Sequence, residues 1–224
     1  MIYETLGEIK NKIEIEHDLK EETFISPEEL RGYINDGISI IEALTVSKLG
    51  DYFMTFSDWI TIEEFNEMPD DIYANKLRKV EVRRTNGEAI KIQHNKRLLS
   101  TDQLSATKYM IVNRKNEKPK LMIQDAENLN PIEIRYHYIR NANRLIEDSD
   151  ICDCPEITMQ HLHAFVRKRC YEKEKDPMAK VSESDVIAFT NLIDTTLSQM
   201  IDDDSDIMVL DTEFYDEYDC EGIY

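Results

Sequence analysis

Between Ser26 and Gly50 the chain spells out one helix from its cap to its stop. Ser26 suits the N-cap, and Pro27 falls at the first helical position, where a missing N–H costs nothing. Glu29, three residues after Ser26, can reach back to the Ser26 backbone N–H and close a capping box. Leu30, Ile34, Ile38, Ile41 and Leu44 then recur at helical spacing, and Gly50 offers a left-handed stop. Gly32 and Gly37 each weaken such a helix by about 1 kcal/mol relative to alanine. Glycine inside a helix lets another backbone approach closely. A neighbouring helix of the same chain is the preferred reading of that approach, and a neighbouring subunit is the other.

The rest of the chain is arranged around this helix. Ile2, Leu6, Ile9 and Ile13 mark a first amphipathic helix, and a charged connector runs from Glu14 to Thr23. The first two helices are expected to pack as a hairpin. After Gly50 the texture changes. Asp51 to Ile62 is rich in aromatic and β-branched residues and reads as a strand or a long aromatic loop, and Met68-Pro69-Asp70-Asp71 reads as a turn. Leu77–Arg84 and Glu88–His94 are strands around Asn86-Gly87. A two-residue turn would set Val82 opposite Lys91 and split the apolar residues between faces. A three-residue loop, Thr85-Asn86-Gly87, with Gly87 left-handed, sets Val82 opposite Ile90 and Val80 opposite Ile92, giving one apolar face. Tyr109–Arg114 and Lys120–Gln124, joined through Pro119, are two further strands. In Pro131–Ile139, Ile132, Ile134, Tyr136 and Tyr138 alternate with Glu133, Arg135 and His137.

Helix returns at Pro155, with Leu162, Phe165, Val166 and Cys170 as its apolar face, and Asp176-Pro177 ends it. Ser182 and Asp185 begin a last helix whose buried stripe is Val186, Phe189, Leu192, Ile193, Leu197 and Met200. The expected class is α+β: N- and C-terminal helices forming a bundle, an antiparallel β-rich insertion, and an extended acidic C-terminal tail. The expected divisions are an N-terminal helical hairpin at 1–50, the β-rich insertion at 51–140, the C-terminal helices at 141–201 and the tail at 202–224.

Charge narrows the function classes. The formal net charge is -19, which argues against non-specific nucleic-acid binding, because neutralising phosphates takes clustered Lys and Arg. Such acidity suits a protein that assembles with other proteins, or one lining a path along which DNA slides without adhering. No apolar run reaches the length of a membrane span and no signal peptide is visible, so synthesis in a cytosol is expected. The four cysteines, Cys152, Cys154, Cys170 and Cys220, do not form a disulfide framework at this chain length. From Val181 to Tyr224 there is no Lys or Arg, and ten acidic residues lie between Asp202 and Glu221. Within that stretch Ile207, Val209, Leu210, Phe214 and Tyr215 are apolar and are the candidate partner-binding residues of the tail, able to add a strand to a partner's sheet or lie in its groove. A solvated, disordered end is the competing reading.

Motifs for chemistry are sparse. No phosphate-binding glycine loop, nucleophile elbow or metalloprotease helix motif occurs, and paired carboxylates in so acidic a chain carry no weight. Cys152-x-Cys154 with His161, His163 and Cys170 suggests zinc. However, residues 161 and 163 project from opposite sides of a helix, and His163 and Cys170 sit roughly 10 Å apart along it. A Cys-Pro helix start with surface histidines is preferred. Asp202-x-Asp204-x-Asp206 with Glu213 at the twelfth place has the spacing of a calcium loop, but Ile207 stands where that loop's turn needs glycine. No metal, cofactor or enzymatic activity is expected. Lys76, Arg78, Lys79, Arg83 and Arg84 form the one notable basic cluster, placed on the strand face opposite Val80 and Val82. Arg78, Arg83 and Arg84 are its candidate partner-binding residues. They are either simply solvated or meet an acidic partner, including the tail of a neighbouring copy.

Several stretches carry a resemblance: Glu28-Glu29-Leu30-Arg31-x-Tyr33-Ile34-Asn35-x-Gly37, Met68-Pro69-Asp70-Asp71 leading into Lys76-Leu77-Arg78-Lys79-Val80, Pro131-Ile132-Glu133-Ile134-Arg135-Tyr136, and Cys154-Pro155-Glu156-Ile157. In their order and spacing, to about Met200, they resemble the head–tail adaptor (connector) proteins of tailed bacteriophages, especially the tail-tube adaptor rings of short-tailed phages. The resemblance implies a structural virion protein without enzymatic activity. It implies copies in a ring, typically twelvefold, that binds the portal protein and a tail or neighbouring neck-ring protein. It further implies that DNA passes through without specific binding, that no membrane is involved, and that the virion head–tail interface is reached after synthesis in the host cytoplasm. The acidic tail departs from the family pattern. The alternative is a soluble protein-binding module whose acidic tail captures a basic partner.

Overall fold

A computed structural model describes residues 4–17, 25–94, 108–112, 115, 117–124 and 131–212. The chain divides into two compact units, one joining the part up to Tyr52 with the part from Ala142 onward, the other Phe53–Asn141. The class is α+β, and no helix among the described residues is long and apolar enough to cross a membrane.

In the helical unit, α1 is Leu6–His17, α2 is Pro27–Lys48, α3 is Met159–Glu174 and α4 is Ala179–Thr212. α2 starts as its sequence dictates. The Glu29 N–H donates to the Ser26 hydroxyl oxygen at 3.2 Å and the Ser26 N–H donates to the Glu29 carboxylate at 3.0 Å, so both halves of the capping box are made. Its stripe of Leu30, Ile34, Ile38 and Ile41 is buried, as are Leu6, Ile9 and Ile13 of α1, Leu162, Val166 and Cys170 of α3, and Ile193 and Leu197 of α4.

α3 is the shared neighbour of the other three helices. The expected hairpin of the first two helices is therefore a minor contact, because α1 leans mainly on α3. Arg167 of α3 pairs with Glu16 at 3.3 Å. The start of α1 is also held from the other side, where the Leu6 and Gly7 N–H groups donate to the Asp150 and Asp148 carbonyls at 2.9 and 3.0 Å.

The two glycines of α2 have different explanations. A Cβ on Gly37 would lie 2.5 Å from Leu162 Cδ1 and 3.1 Å from Phe165 Cδ1, so the close neighbour there is a helix of the same chain. A Cβ on Gly32 would meet nothing within 4 Å. Gly32→Ala is therefore expected to stabilise the protein by about 0.5–1 kcal/mol, read as a higher Tm, since helix propensity improves with no contact to lose.

α2 also organises the returning chain. Asn35 Nδ2 donates to the Leu145 carbonyl at 2.9 Å, and Asn35 Oδ1 accepts from the Leu145 N–H at 3.0 Å. Glu42, only 8% exposed, accepts from the Ala142 N–H at 2.6 Å. Arg144 caps the arrangement by donating to the Asn35 carbonyl at 2.8 Å. Asn35→Ala leaves both Leu145 backbone groups unpartnered and is expected to cost about 2–3 kcal/mol in a urea titration, with the m-value unchanged.

The chain reverses between α3 and α4 at Lys175, whose φ of 58° is left-handed, and the Asp176 carboxylate accepts from the Met178 N–H at 2.7 Å. α4 thus begins at Ala179, ahead of Ser182. Ile193 and Leu197 lie one turn apart on its buried face, but Leu192 is 49% exposed, because a step of one residue rotates it about 100° off that line. The stretch expected to leave the helix at Asp202 is helical as far as Thr212, and 213–224 lie outside the described residues.

In the second unit, β1 is Met54–Phe56, β2 Ile60–Thr61, β3 Asn66–Glu67, β4 Ile72–Arg84, β5 Ala89–His94, β6 Lys108–Val112, β7 Lys120–Gln124 and β8 Pro131–Arg140. The strands are ordered β1-β8-β4-β5-β6-β7-β3, with β2 also on β8. Every pairing is antiparallel save β5 with β6, where Gln93 faces Lys108 and His94 faces Tyr109. The β4–β5 register sets Val80 opposite Ile92 and Val82 opposite Ile90, and Gly87 has φ 84°, which is the register and loop that one apolar face demands. Val80, Val82, Ile92, Tyr109, Leu121, Ile134, Tyr136 and Tyr138 form the core of this unit.

β4 starts earlier than expected and is irregular. Ala74 (φ 46°) and Asn75 (φ 57°) are left-handed, and the register shifts between Ile72 and Leu77. It shifts again between Leu77, opposite Tyr138, and Lys79, opposite His137. Arg78 is the extra residue of that bulge, and the bulge returns Leu77 to the apolar face.

Candidate interaction face

Strands alternate their side chains, so the residues interleaved with the core positions of β4 and β8 share the other face. Three pairs stand directly opposite one another there: Lys79 with His137, Glu81 with Arg135, and Arg83 with Glu133. Charges alternate along β4 on this face, and two of the three cross-strand pairs join opposite charges. Lys79 Nζ lies 2.5 Å from one Glu81 oxygen, His137 Nε2 lies 3.0 Å from the other, and Arg83 Nη1 donates to Glu133 at 2.9 Å. Burial alone would raise the Glu81 carboxyl, but hydrogen bonds from Lys79 and His137 together hold it below its ordinary value.

The edge strand completes the face. The Ser57 N–H donates to the Tyr136 carbonyl at 2.9 Å, and the Tyr136 N–H donates to Ser57 Oγ at 3.1 Å. This lacing fixes the turn between β1 and β2 against β8. Phe56 and Trp59 then both fall beside Arg135. The Arg135 guanidinium carbon is 5.2 Å from the Phe56 ring centre and 4.5 Å from that of Trp59, and the Arg83 guanidinium carbon is 4.2 Å from the Trp59 ring centre. Aromatic ring and guanidinium thus alternate through Phe56, Arg135, Trp59 and Arg83. Each such contact contributes roughly 0.5–2 kcal/mol, depending on how dry it is.

Arg135 differs from its neighbours. Lys79 and Arg83 each have a carboxylate, whereas Arg135 makes no ion pair among the described residues and its buried Nε has no hydrogen-bond partner. Phe56 beside it is 62% exposed. The arrangement is a cation held against two rings, with no carboxylate paired to it among the described residues.

Of the residues singled out from sequence, Arg83 belongs to this face, but it is tied to Glu133 and Trp59. Arg84 pairs with Glu88 at 3.1 Å across the closing end of the β4–β5 hairpin. Arg78 sits in the bulge and is itself engaged in a contact. The picture of one solvated basic face opposite Val80 and Val82 is corrected accordingly. Arg78 and Arg84 have the same parity as Val80 and Val82 and are displaced by register shifts, and Arg83 is neutralised in place. Ile207, Val209 and Leu210 lie in the backbone of α4, and Phe214 and Tyr215 lie outside the described residues.

Sequence reasoning missed Phe56, Trp59 and Arg135. The alternation Glu133-x-Arg135-x-His137 was visible, and so was the aromatic stretch, but nothing local says that they meet across a β1–β8 pairing.

The zinc candidates are separated. His161 is buried against α4, its Nδ1 3.4 Å from Thr190 Oγ1, and His163 is half-buried and faces Glu4 at 3.3 Å. They do project from opposite sides of α3. They are not surface residues, because α3 is covered on both sides. Cys152, Cys154 and Cys170 are free and buried, and burial pushes the Cys170 thiol up to about 12, so it is protonated at neutral pH. No group of three or more His, Cys, Asp or Glu side chains among the described residues could hold a metal ion. Asp202, Asp204 and Asp206 lie on a helical backbone, which is not the looped backbone a calcium loop uses.

Burial lowers both histidines below their ordinary value of 6.5, and for His163 it outweighs the attraction of Glu4 and Glu16. The unfolded chain therefore binds more protons just below pH 6.5. This contribution to stability is full above that pH and is lost as pH falls through it. Tm is expected to drop between pH 7.5 and 5.5, about the range in which histidine changes charge, and His161→Gln is expected to flatten that drop.

A comparison with known proteins finds no matching family model and no matching curated protein. The functional reading therefore rests on the fold, the charge and this face.

Proposed function

We propose that this chain is a structural assembly protein, a subunit of the oligomeric connector ring between the portal and the tail of a tailed bacteriophage, continuing the DNA channel. The observation that carries the proposal is the chain order. Two helices lead into a β-rich unit at Phe53–Asn141, and the chain then returns to complete the helical unit. That is the order implied by the resemblance in Glu28–Gly37, Met68–Val80 and Pro131–Tyr136. Two further features support it. A net charge of -19 suits a surface that DNA passes without adhering, since like charges repel. A ring of heterologous contacts needs two different surfaces on each copy, and the Phe56–Arg135–Trp59 face is one with exposed apolar area and an unpaired cation.

The test is quantitative mass spectrometry of purified virions from the source. A dozen or so copies per particle, in fixed ratio to the portal, is the expected result for a closed ring. Absence from particles, with abundance in infected cells, would overturn the connector reading and favour a binding module that captures a basic partner through the acidic C-terminal stretch.

A further inference from the structure

Arg135 is a half-buried guanidinium beside two aromatic rings, and it makes no ion pair among the described residues. Phe56 and Trp59 lie 5.2 and 4.5 Å from its central carbon, close enough for both rings to attract the cation. A guanidinium's terminal nitrogens present a parallel N–H pair, and that pair fits the two oxygens of a carboxylate. The neighbouring charges are already satisfied: Arg83 by Glu133, and Glu81 by Lys79 and His137. The face therefore offers one open anion position bordered by an exposed phenyl ring.

The ligand class follows from these surroundings. A polyanion such as a nucleic acid would bring a row of phosphates against Glu81 and Glu133 and against a strongly acidic chain, and among the described residues of this face would find one unpaired guanidinium where it needs a cluster. A peptide carboxylate next to an aromatic side chain fits better, the acid on Arg135 and the ring on Phe56. Residues 213–224 of this chain have that composition. Five of the twelve are acidic (Glu213, Asp216, Glu217, Asp219, Glu221) and four are aromatic (Phe214, Tyr215, Tyr218, Tyr224), with no basic residue among them. Helix α4 carries the start of this segment about 22 Å beyond Leu197, its last described buried side chain. A segment at the end of such an arm can meet another copy.

We propose that the Arg135 clamp is a docking site for the acidic-aromatic segment 213–224 of a second copy of this chain. The contact links copies whether or not they form a connector ring, so its failure and the failure of that reading are separate results.

Trp59 is the single tryptophan and stacks directly on Arg135, so its emission reports the site. The experiment titrates a synthetic peptide of residues 213–224 into the full chain. A saturable change in Trp59 emission is expected, weakening several-fold from low to high salt, as an ion pair near the surface does. A peptide with its five acids replaced by Asn and Gln is expected to give no response. That control needs no altered protein and holds even if Arg135→Ala folds poorly. Where Arg135→Ala keeps its circular dichroism, the peptide's affinity is expected to fall at least about tenfold, and Arg135→Lys to recover it only in part, lacking the planar fork. No emission change, an equal response to the neutral peptide, or a tighter response to oligothymidylate of matched length would each overturn the proposal. The second-copy assignment is tested with the full chain carrying p-benzoylphenylalanine in place of Tyr215, mixed in natural and heavy-isotope forms. Crosslinks joining light and heavy copies at residues 54–62 are expected, and crosslinks confined to single chains would overturn it.

Discussion

Tyr136→Ala is expected to destabilise the β-rich unit by about 3–5 kcal/mol, whereas Tyr136→Phe should stay within about 1 kcal/mol of the parent. Tyr136 is fully buried at the centre of β8, directly opposite Val80, with Ile134 and Tyr138 on its own strand lining the same core. Truncation removes a whole ring from close-packed surroundings that cannot collapse around the loss. The hydroxyl is a different matter. It is buried without a hydrogen-bond partner among the described residues, and burial raises the phenol above its ordinary pKa. Removing an unpaired buried polar atom sacrifices no bond and ends a desolvation cost, so phenylalanine should be neutral or slightly better. Trp59, held on Arg135, the residue before it in β8, reports unfolding of this unit through its emission. A large loss in Tyr136→Phe would mean that the hydroxyl has a partner after all.

Gly37→Leu is expected to cost the helical unit roughly 3 kcal/mol, the upper part of the range for overpacking a core. The position of the missing Cβ is already 2.5 Å from Leu162, itself fully buried, so a longer side chain must drive α2 and α3 apart. Compensation makes the cause testable. Leu162→Ala alone removes buried volume and should cost about 2–5 kcal/mol, but in the Gly37→Leu background it should cost far less, because the new side chain fills the space. Additive losses in the double variant, measured by denaturant titration with far-ultraviolet circular dichroism, would show that the clash is not with Leu162.

These positions show what local sequence encodes. The capping box at Ser26–Glu29 and the register of the β4–β5 hairpin were both legible. The first depends on a spacing of three residues, and the second on one turn and a side-chain period of two. Gly37 was legible as a close approach, although only the fold identifies Leu162 and Phe165 as the neighbours. What was not legible depends on pairing between distant segments. His161 and His163 read as surface residues because nothing in their own helix states that α3 is covered on both sides. Arg78 and Arg84 were put on the wrong face because strict alternation fails at a bulge, and the bulge is set by β8, far along the chain. Arg135 was one of three polar residues in an alternating strand until β1 supplied Phe56 and the following turn supplied Trp59. The end of the last helix was misjudged for a related reason. Acidic composition argued for solvation after Asp202, and composition does not say where a helix already begun will stop.

The division of the helical unit around Phe53–Asn141 also has a consequence in time. α2 ends at Lys48, and α3, the helix that covers Gly37, begins at Met159. At ribosomal speeds of about 5–20 residues per second, the chain emerging from synthesis carries an uncovered α2 for roughly 5–20 s before its partner exists. The intervening strands are contiguous and can close on themselves in that interval. Nascent chains arrested once Asn141 has cleared the ribosome, with α3 still inside it, should therefore resist protease across 53–141 while α2 is still cut. The hydrophobic stripe of Leu30, Ile34 and Ile38 is the surface that chaperones must shield until translation passes Glu174.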